Sequence, residues 1–310
     1  MSKIVNILII LLLLASLSFF AYEIYTKFPQ GTKEFFITQP ENKIPENTSK
    51  ELVMFMPNMR FATDSISYSF QDCDLERKNK VLEAFQIISK ETQVISFYET
   101  QLAPMIAIYC SQEKGEQRNN SFVAGEGGPN KVIELDLYPL IIDGKIYLYD
   151  SRSKDECKYP IVELHELMHV FGFDHIANKS TILYPYVDCD QRITKDIIDK
   201  LKELYSLDPK SDLTIKNLSA STSSRYLNFE IIISNRGLLN AKSSNVEIYD
   251  AKGKIGNFSI GSIDSGVSQS LSIKNMALPI RQITNIIFKV TTTTPEYFYD
   301  NNEITAQVKN

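Results

Sequence analysis

The chain has three histidines in 310 residues, and all three fall in one eleven-residue stretch, HELMHVFGFDH, from His165 to His175. No other feature limits the possible folds as strongly. His165 and His169 are four residues apart, so on a helix they share one face. Leu164, Leu167, Met168 and Phe171 follow the i, i+3, i+4, i+7 rule and mark a different, buried face. Pro160 upstream can open the helix, because a first-turn proline forfeits no helical hydrogen bond. Gly172 falls where a left-handed residue can end it. The chain can then turn and bring His175 back toward the other two.

Three neutral imidazole nitrogens converging from a helix and the turn after it suit zinc (Zn2+). Three protein ligands leave the fourth tetrahedral position for water, the arrangement of catalytic rather than structural sites. Glu166 stands beside the first ligand, where a carboxylate can take a proton from a metal-bound water attacking a carbonyl. A pair of core histidines beside a surface glutamate is the plain alternative. Against it stand the added glycine and third histidine, the absence of histidine elsewhere, and a buried face already supplied by apolar residues.

His165, Glu166, His169, Gly172 and His175 make the pattern HExxHxxGxxH, which resembles the zinc signature of the metzincin metallopeptidases. Eight residues past His175 comes LYP, Leu183 to Pro185, followed by Tyr186. It is similar to the Met-Tyr-Pro turn of the matrixin branch, with Leu183 at the methionine position. Leucine and methionine have similar volumes, and such swaps in packed sites usually cost little. Tyr186 is three residues beyond that position and does not match the metal-switching tyrosine of astacin-like relatives. The resemblance implies a zinc endopeptidase with His165, His169 and His175 as metal ligands and Glu166 as general base. Its substrate would be a protein or peptide.

The balance of 33 Lys and Arg against 38 Asp and Glu gives a net charge of -5. No basic block appears, which argues against nucleic acid as a main partner. Residues 4–22 carry no charge. As a helix they would span roughly 28 Å, about the hydrocarbon thickness of a bilayer. Lys3 ahead of them favours a cytoplasmic start and leaves the remainder outside. A cleaved signal peptide is the competing reading, with small residues at Ser16 and Ser18 but a poor aromatic exit behind them. The expectation is a single-pass transmembrane helix in the cell membrane.

Cys73, Cys110, Cys157 and Cys189 are the only cysteines, and an even number in an exported chain suggests disulfides. Three pairings are open to the sequence. Economy favours Cys157 with Cys189, one before the metal helix and one after the LYP turn, and Cys73 with Cys110. Sequons start at Asn47, Asn119, Asn178, Asn217 and Asn257. Each is a potential glycan site, and one at Asn178 would crowd the turn after His175.

Residues 23–50 are polar with three prolines and read as a stalk. SISYSF, VISFYE, MIAIYC, KVIELDL and KIYLYD read as strands. A long helix follows Asp74, and TKDIIDKLKELY closes the domain as another. AGEGGPN, Ala124 to Asn130, reads as a glycine-rich loop, and it lacks the Lys-Ser/Thr end of a phosphate cradle. This order predicts an α+β catalytic domain over 51–208, similar to that of metzincins. In that family the strand edging the cleft holds substrate by backbone pairing. KIYLYD and KVIELDL are both candidates here.

Beyond the linker SLDPKSD the chain becomes short alternating runs separated by turn residues, over 209–310. The pattern predicts an all-β sandwich. With its NRG turn and late DNNE it resembles the immunoglobulin-like, CARDB-like adhesion modules of prokaryotic surface proteins. It would serve spacing, adhesion or substrate docking. Two further readings of the whole stay open: a surface adhesin with a structural or degenerate metal site, and a zinc amidase acting on a non-peptide surface polymer.

Overall fold

The computed structural model describes residues 32–34, 51–114, 117–118, 121–150, 157–223, 226–279 and 285–307. The segment read as a membrane anchor, residues 4–22, lies outside them. So does the segment read as a stalk, apart from Thr32–Glu34. No helix among the described residues is long and apolar enough to cross a membrane. The chain folds as two compact units, one spanning Thr32–Pro209 and one containing Lys210–Asn310.

The first unit is built on a mixed sheet. Its strands are β1 (Thr32–Glu34), β2 (Arg60–Phe61), β3 (Ser65–Gln71), β4 (Ser96–Glu99), β5 (Ile106–Lys114), β8 (Gly125–Ile133) and β9 (Leu140–Asp150). Two short strands, β6 (Gln117–Arg118) and β7 (Ser121–Phe122), pair only with each other. The sheet order is β1-β8-β9-β5-β3-β4, with β2 beside β9. Strands β3, β4, β5 and β9 run parallel, while β8 runs antiparallel to β9. Among the described residues three helices complete the unit: α1 (Leu75–Thr92), α2 (Ile161–Val170) and α3 (Lys195–Tyr205).

Local chemistry sets each helix. Asp74 accepts a hydrogen bond from the Arg77 amide, which satisfies one of the unpaired first-turn donors of α1. Val81, Ala84, Phe85 and Ile88 recur at helical spacing and are buried. On α3 the buried set is Ile197, Ile198, Leu201, Leu204 and Tyr205. Phe85 stacks on Phe97 of β4 at 4.2 Å, and Phe97 meets Phe171, at the end of α2, edge-on at 6.3 Å. One aromatic chain therefore joins α1, the sheet and α2, and such pairs add to the stability from area burial alone.

Both disulfides follow the economical pairing, Cys73 with Cys110 and Cys157 with Cys189. The first joins the entry of α1 to β5. The second closes the stretch that holds α2 and the turn after it.

One expectation fails. The glycine-rich run AGEGGPN is not a loop, since Gly125 to Asn130 form the first part of β8 and pair with β9. Glycine is a poor strand former, so the reason lies in packing and is given below. The strand in KVIELDL ends at Ile133, and KIYLYD belongs to β9 inside the sheet. Among the described residues β8 is bordered on its outer side only by β1, opposite Lys131 to Ile133. Within the residues read as a stalk, Thr32–Glu34 thus belong to the sheet.

The second unit consists of two antiparallel sheets. One contains β10 (Leu213–Ser223), β11 (Tyr226–Asn235) and β14 (Ser268–Ala277) in the order β10-β11-β14. The other contains β12 (Ala241–Asp250), β13 (Gly253–Ile263), β15 (Asn285–Thr291) and β16 (Glu303–Gln307) in the order β13-β12-β15-β16. Alternation places Leu227, Phe229, Ile231 and Ile233 of β11 inside, against Val246 and Ile248 of β12 and Phe288 of β15. In the NRG turn the Asn235 side chain accepts from the Asp212 and Gly237 amides and donates to the Leu239 and Ile263 carbonyls.

Candidate metal centre

Helix α2 carries two of the three histidines on one face, as the four-residue spacing requires. It follows Pro160 and runs Ile161–Val170. Gly172 has φ +90°, a left-handed conformation that turns the chain out of the helix. A Cβ at this position would also fall 2.5 Å from the Met59 sulfur, so the turn demands glycine on two counts. Past it the chain delivers His175 to the other two imidazoles.

The three Nε2 atoms converge. His165 and His169 are 2.9 Å apart, and each lies 3.1 Å from His175. The remaining nitrogens set the tautomers. His165 Nδ1 donates to the Ile182 carbonyl, and His169 Nδ1 donates to the Phe173 carbonyl at 2.8 Å. A carbonyl only accepts, so the neutral rings carry their protons on Nδ1 and present bare Nε2 lone pairs. The lone pairs of His165 and His169, facing each other at this range, repel, and a cation between them and His175 removes that repulsion. Imidazole-only ligation of this kind suits zinc, so the residues fit the metal that the sequence implies.

Electrostatics favour the same state. Burial, reinforced by the neighbouring imidazoles, holds all three histidines down to about 3, so they stay neutral and able to ligate at ordinary pH. Glu166 is also buried. Burial raises its carboxyl well above the usual range, Glu126 and Glu163 push the same way, and the Gly127 amide hydrogen bond opposes them. The carboxyl therefore holds a proton more readily than an exposed glutamate does.

Strand β8 lies directly against α2 at this point. A Cβ on Gly125 would sit 2.8 Å from Glu166 Cγ and Oε1, and one on Gly127 would sit 2.4 Å from the Glu166 carbonyl oxygen. Only glycine lets strand and helix approach so closely, which accounts for the run that reads as a loop in the sequence.

Leu183, at the methionine position of the turn, is fully buried in the core of the unit. Its carbonyl accepts from the Ile176 amide at 3.1 Å, one residue beyond His175. The preceding carbonyl, Ile182, is the partner of His165. The LYP turn thus orients His165 and braces the backbone after His175. Tyr186 is exposed and 5.8 Å from Tyr184, ring to ring.

The structure brings His165, His169 and His175 together as the only group of three or more such side chains able to hold a metal among the described residues. Two features of the site have no counterpart in the sequence reading. These are the glycines of β8 and the segment Val53–Phe55, whose carbonyl and amide bond the Gly172–Asp174 turn. The only trace of the latter in the sequence is the apolar run from Leu52 to Met56, which has no period.

No curated protein matches the chain. Among solved structures, a CARDB domain from Pyrococcus furiosus, in complex with di-metal ions, is similar at 18% identity, with a TM-score of 0.27. The match covers 32% of this chain and 90% of that one. The family model of the matrixins, Peptidase_M10, matches residues 60–206, a span that contains the histidine triad, Glu166 and the LYP turn. Over residues 60–206 the chain is thus similar to the matrixins.

Proposed function

We propose that the protein is a zinc endopeptidase, held at the cell membrane by residues 4–22, with its catalytic domain outside the cytoplasm. The observation that carries this reading is the approach of three Nε2 atoms to within 3.1 Å of one another, next in sequence to the buried carboxyl of Glu166. Bound there, zinc would supply Lewis acidity, lowering the pKa of its water and polarising the scissile carbonyl. His165, His169 and His175 would hold the metal from one side. Glu166 would receive the proton of the attacking water on its carboxylate and pass it to the leaving amine. The outer edge of β8 at Gly125–Gly127 would hold the peptide by main-chain pairing.

Two disulfides are consistent with an oxidising compartment beyond the membrane. The C-terminal unit would serve spacing, adhesion or substrate docking. The test is to measure zinc in the purified protein and in His175→Ala after dialysis against a mild chelator, alongside cleavage of an unfolded protein. The parent should retain one zinc and cleave. The variant should lose the metal and the activity, because two imidazoles make an incomplete site. Equal zinc retention by the two would remove His175 from the ligand set.

A further inference from the structure

The matched matrixin span begins at residue 60, yet the chain just before it reaches the metal centre. The Asp174 amide donates to the Val53 carbonyl at 2.9 Å, and the Phe55 amide donates to the Gly172 carbonyl at 2.8 Å. Met54 and Phe173 form the antiparallel bridge between them. The turn so held is the one that serves the ligands. The Phe173 carbonyl accepts from His169 Nδ1, and Asp174 Oδ1 accepts from the His175 amide at 2.7 Å.

Alternation along this segment packs Leu52, Met54 and Met56 against the core and leaves Val53 and Phe55 on the other side. The Phe55 ring is 39% exposed, and it lies against the His169 imidazole at 6.0 Å, nearly parallel, with 28° between the planes. A large apolar side chain that is neither in the core nor free in solvent, and is stacked on a metal-ligand candidate, calls for a reason. The segment is itself fixed from below. Met59 packs under Gly172, and Lys200 of α3 donates to Asn58 Oδ1 at 3.0 Å.

We propose that Val53–Phe55 is a positioning element of the metal centre, with Phe55 fixing the face of His169 and the Phe55 amide fixing the turn that presents His175. This rests on the metal-centre reading above. Groups that orient ligands from behind affect how tightly a metal is held, and their loss typically costs about 10–100-fold in affinity.

The experiment uses the full chain with Phe55→Ala, Phe55→Pro and Phe55→Tyr. Proline removes the amide that bonds Gly172, alanine removes the ring, and tyrosine keeps both. Three readouts are taken: zinc affinity by competition with a chromophoric chelator, the visible spectrum of the cobalt-substituted protein, and the melting temperature of the metal-free form. We expect the alanine and proline variants to bind zinc at least about tenfold more weakly and to show an altered cobalt spectrum. The tyrosine variant should match the parent in both. The alanine variant should melt, metal-free, close to the parent, since Phe55 lies outside the core. Should the proline variant fail to fold, the alanine variant decides alone. Parent-like zinc affinity and cobalt spectrum in the alanine variant would overturn the inference and leave the metal centre standing. A parent protein that binds no zinc would overturn both.

Discussion

Gly127 of β8 stands so close to Glu166 of α2 that a Cβ on the glycine would fall 2.4 Å from the glutamate carbonyl oxygen. The obstacle is helix backbone, which cannot swing aside as a side chain can. Gly127→Ala should therefore push β8 and α2 apart and destabilise the domain by about 1–3 kcal/mol, the usual range for overpacking. It should also lower activity by moving Glu166. Denaturant unfolding of the metal-loaded variant checks this. Parent-like stability and turnover would show that the strand and helix are not held in register by this contact.

At the turn, Leu183 is fully buried. Leu183→Met conserves volume and should cost less than about 1.5 kcal/mol. Leu183→Asp would bury a carboxylate without a partner and should cost several times more, on the order of the penalty for an uncompensated buried polar group. It would also offer a stray ligand beside the triad. Thermal unfolding and zinc content of both variants decide the point. A stable, active Asp variant would contradict the burial of this side chain.

Acidification should weaken the metal-free fold. The three imidazoles titrate at about 3 in the folded chain, against 6.5 for an unperturbed histidine. The unfolded state therefore binds their protons first. Their contribution to stability is complete above about pH 6.5 and is lost progressively as the pH falls toward 3. Glu166 acts in the opposite sense, because its raised carboxyl favours the folded state at low pH and disfavours it as the pH rises. Three imidazoles against one carboxyl make the net effect a loss on acidification. The melting temperature of chelator-treated protein should drop between pH 7 and pH 4.5. It should drop less in a variant with all three histidines replaced by asparagine. Identical slopes in the two proteins would show that the triad does not couple to folding.

What the sequence disclosed and what it concealed divide by range. His165, His169 and His175 lie within eleven residues, and Gly172 between them dictates the turn, so the convergence of the three imidazoles was legible from local spacing. The helices α1 and α3 were legible because Phe85 and Ile88, or Ile197 and Leu201, repeat at helical intervals. Gly125 and Gly127 misled for the opposite reason. Their pattern signals a loop, and the cause of their being glycine is a helix some forty residues away in the chain. The disulfides took the pairing that economy favours among the three the sequence allows, and the entry of α1 meeting β5 is what brings Cys73 to Cys110. Phe55 stood only in an apolar run, because a bridge of one residue pair has no period.

The central claim is that Glu166 moves the proton while the three histidines hold the metal. Glu166→Gln keeps the shape of the side chain and removes its capacity to accept that proton. The decisive measurement is zinc stoichiometry and peptide turnover on the same purified variant. The account predicts unchanged zinc content, with turnover reduced by roughly a hundredfold or more, the scale of losing a general base. Zinc retained with peptide cleavage at the parent rate would contradict it.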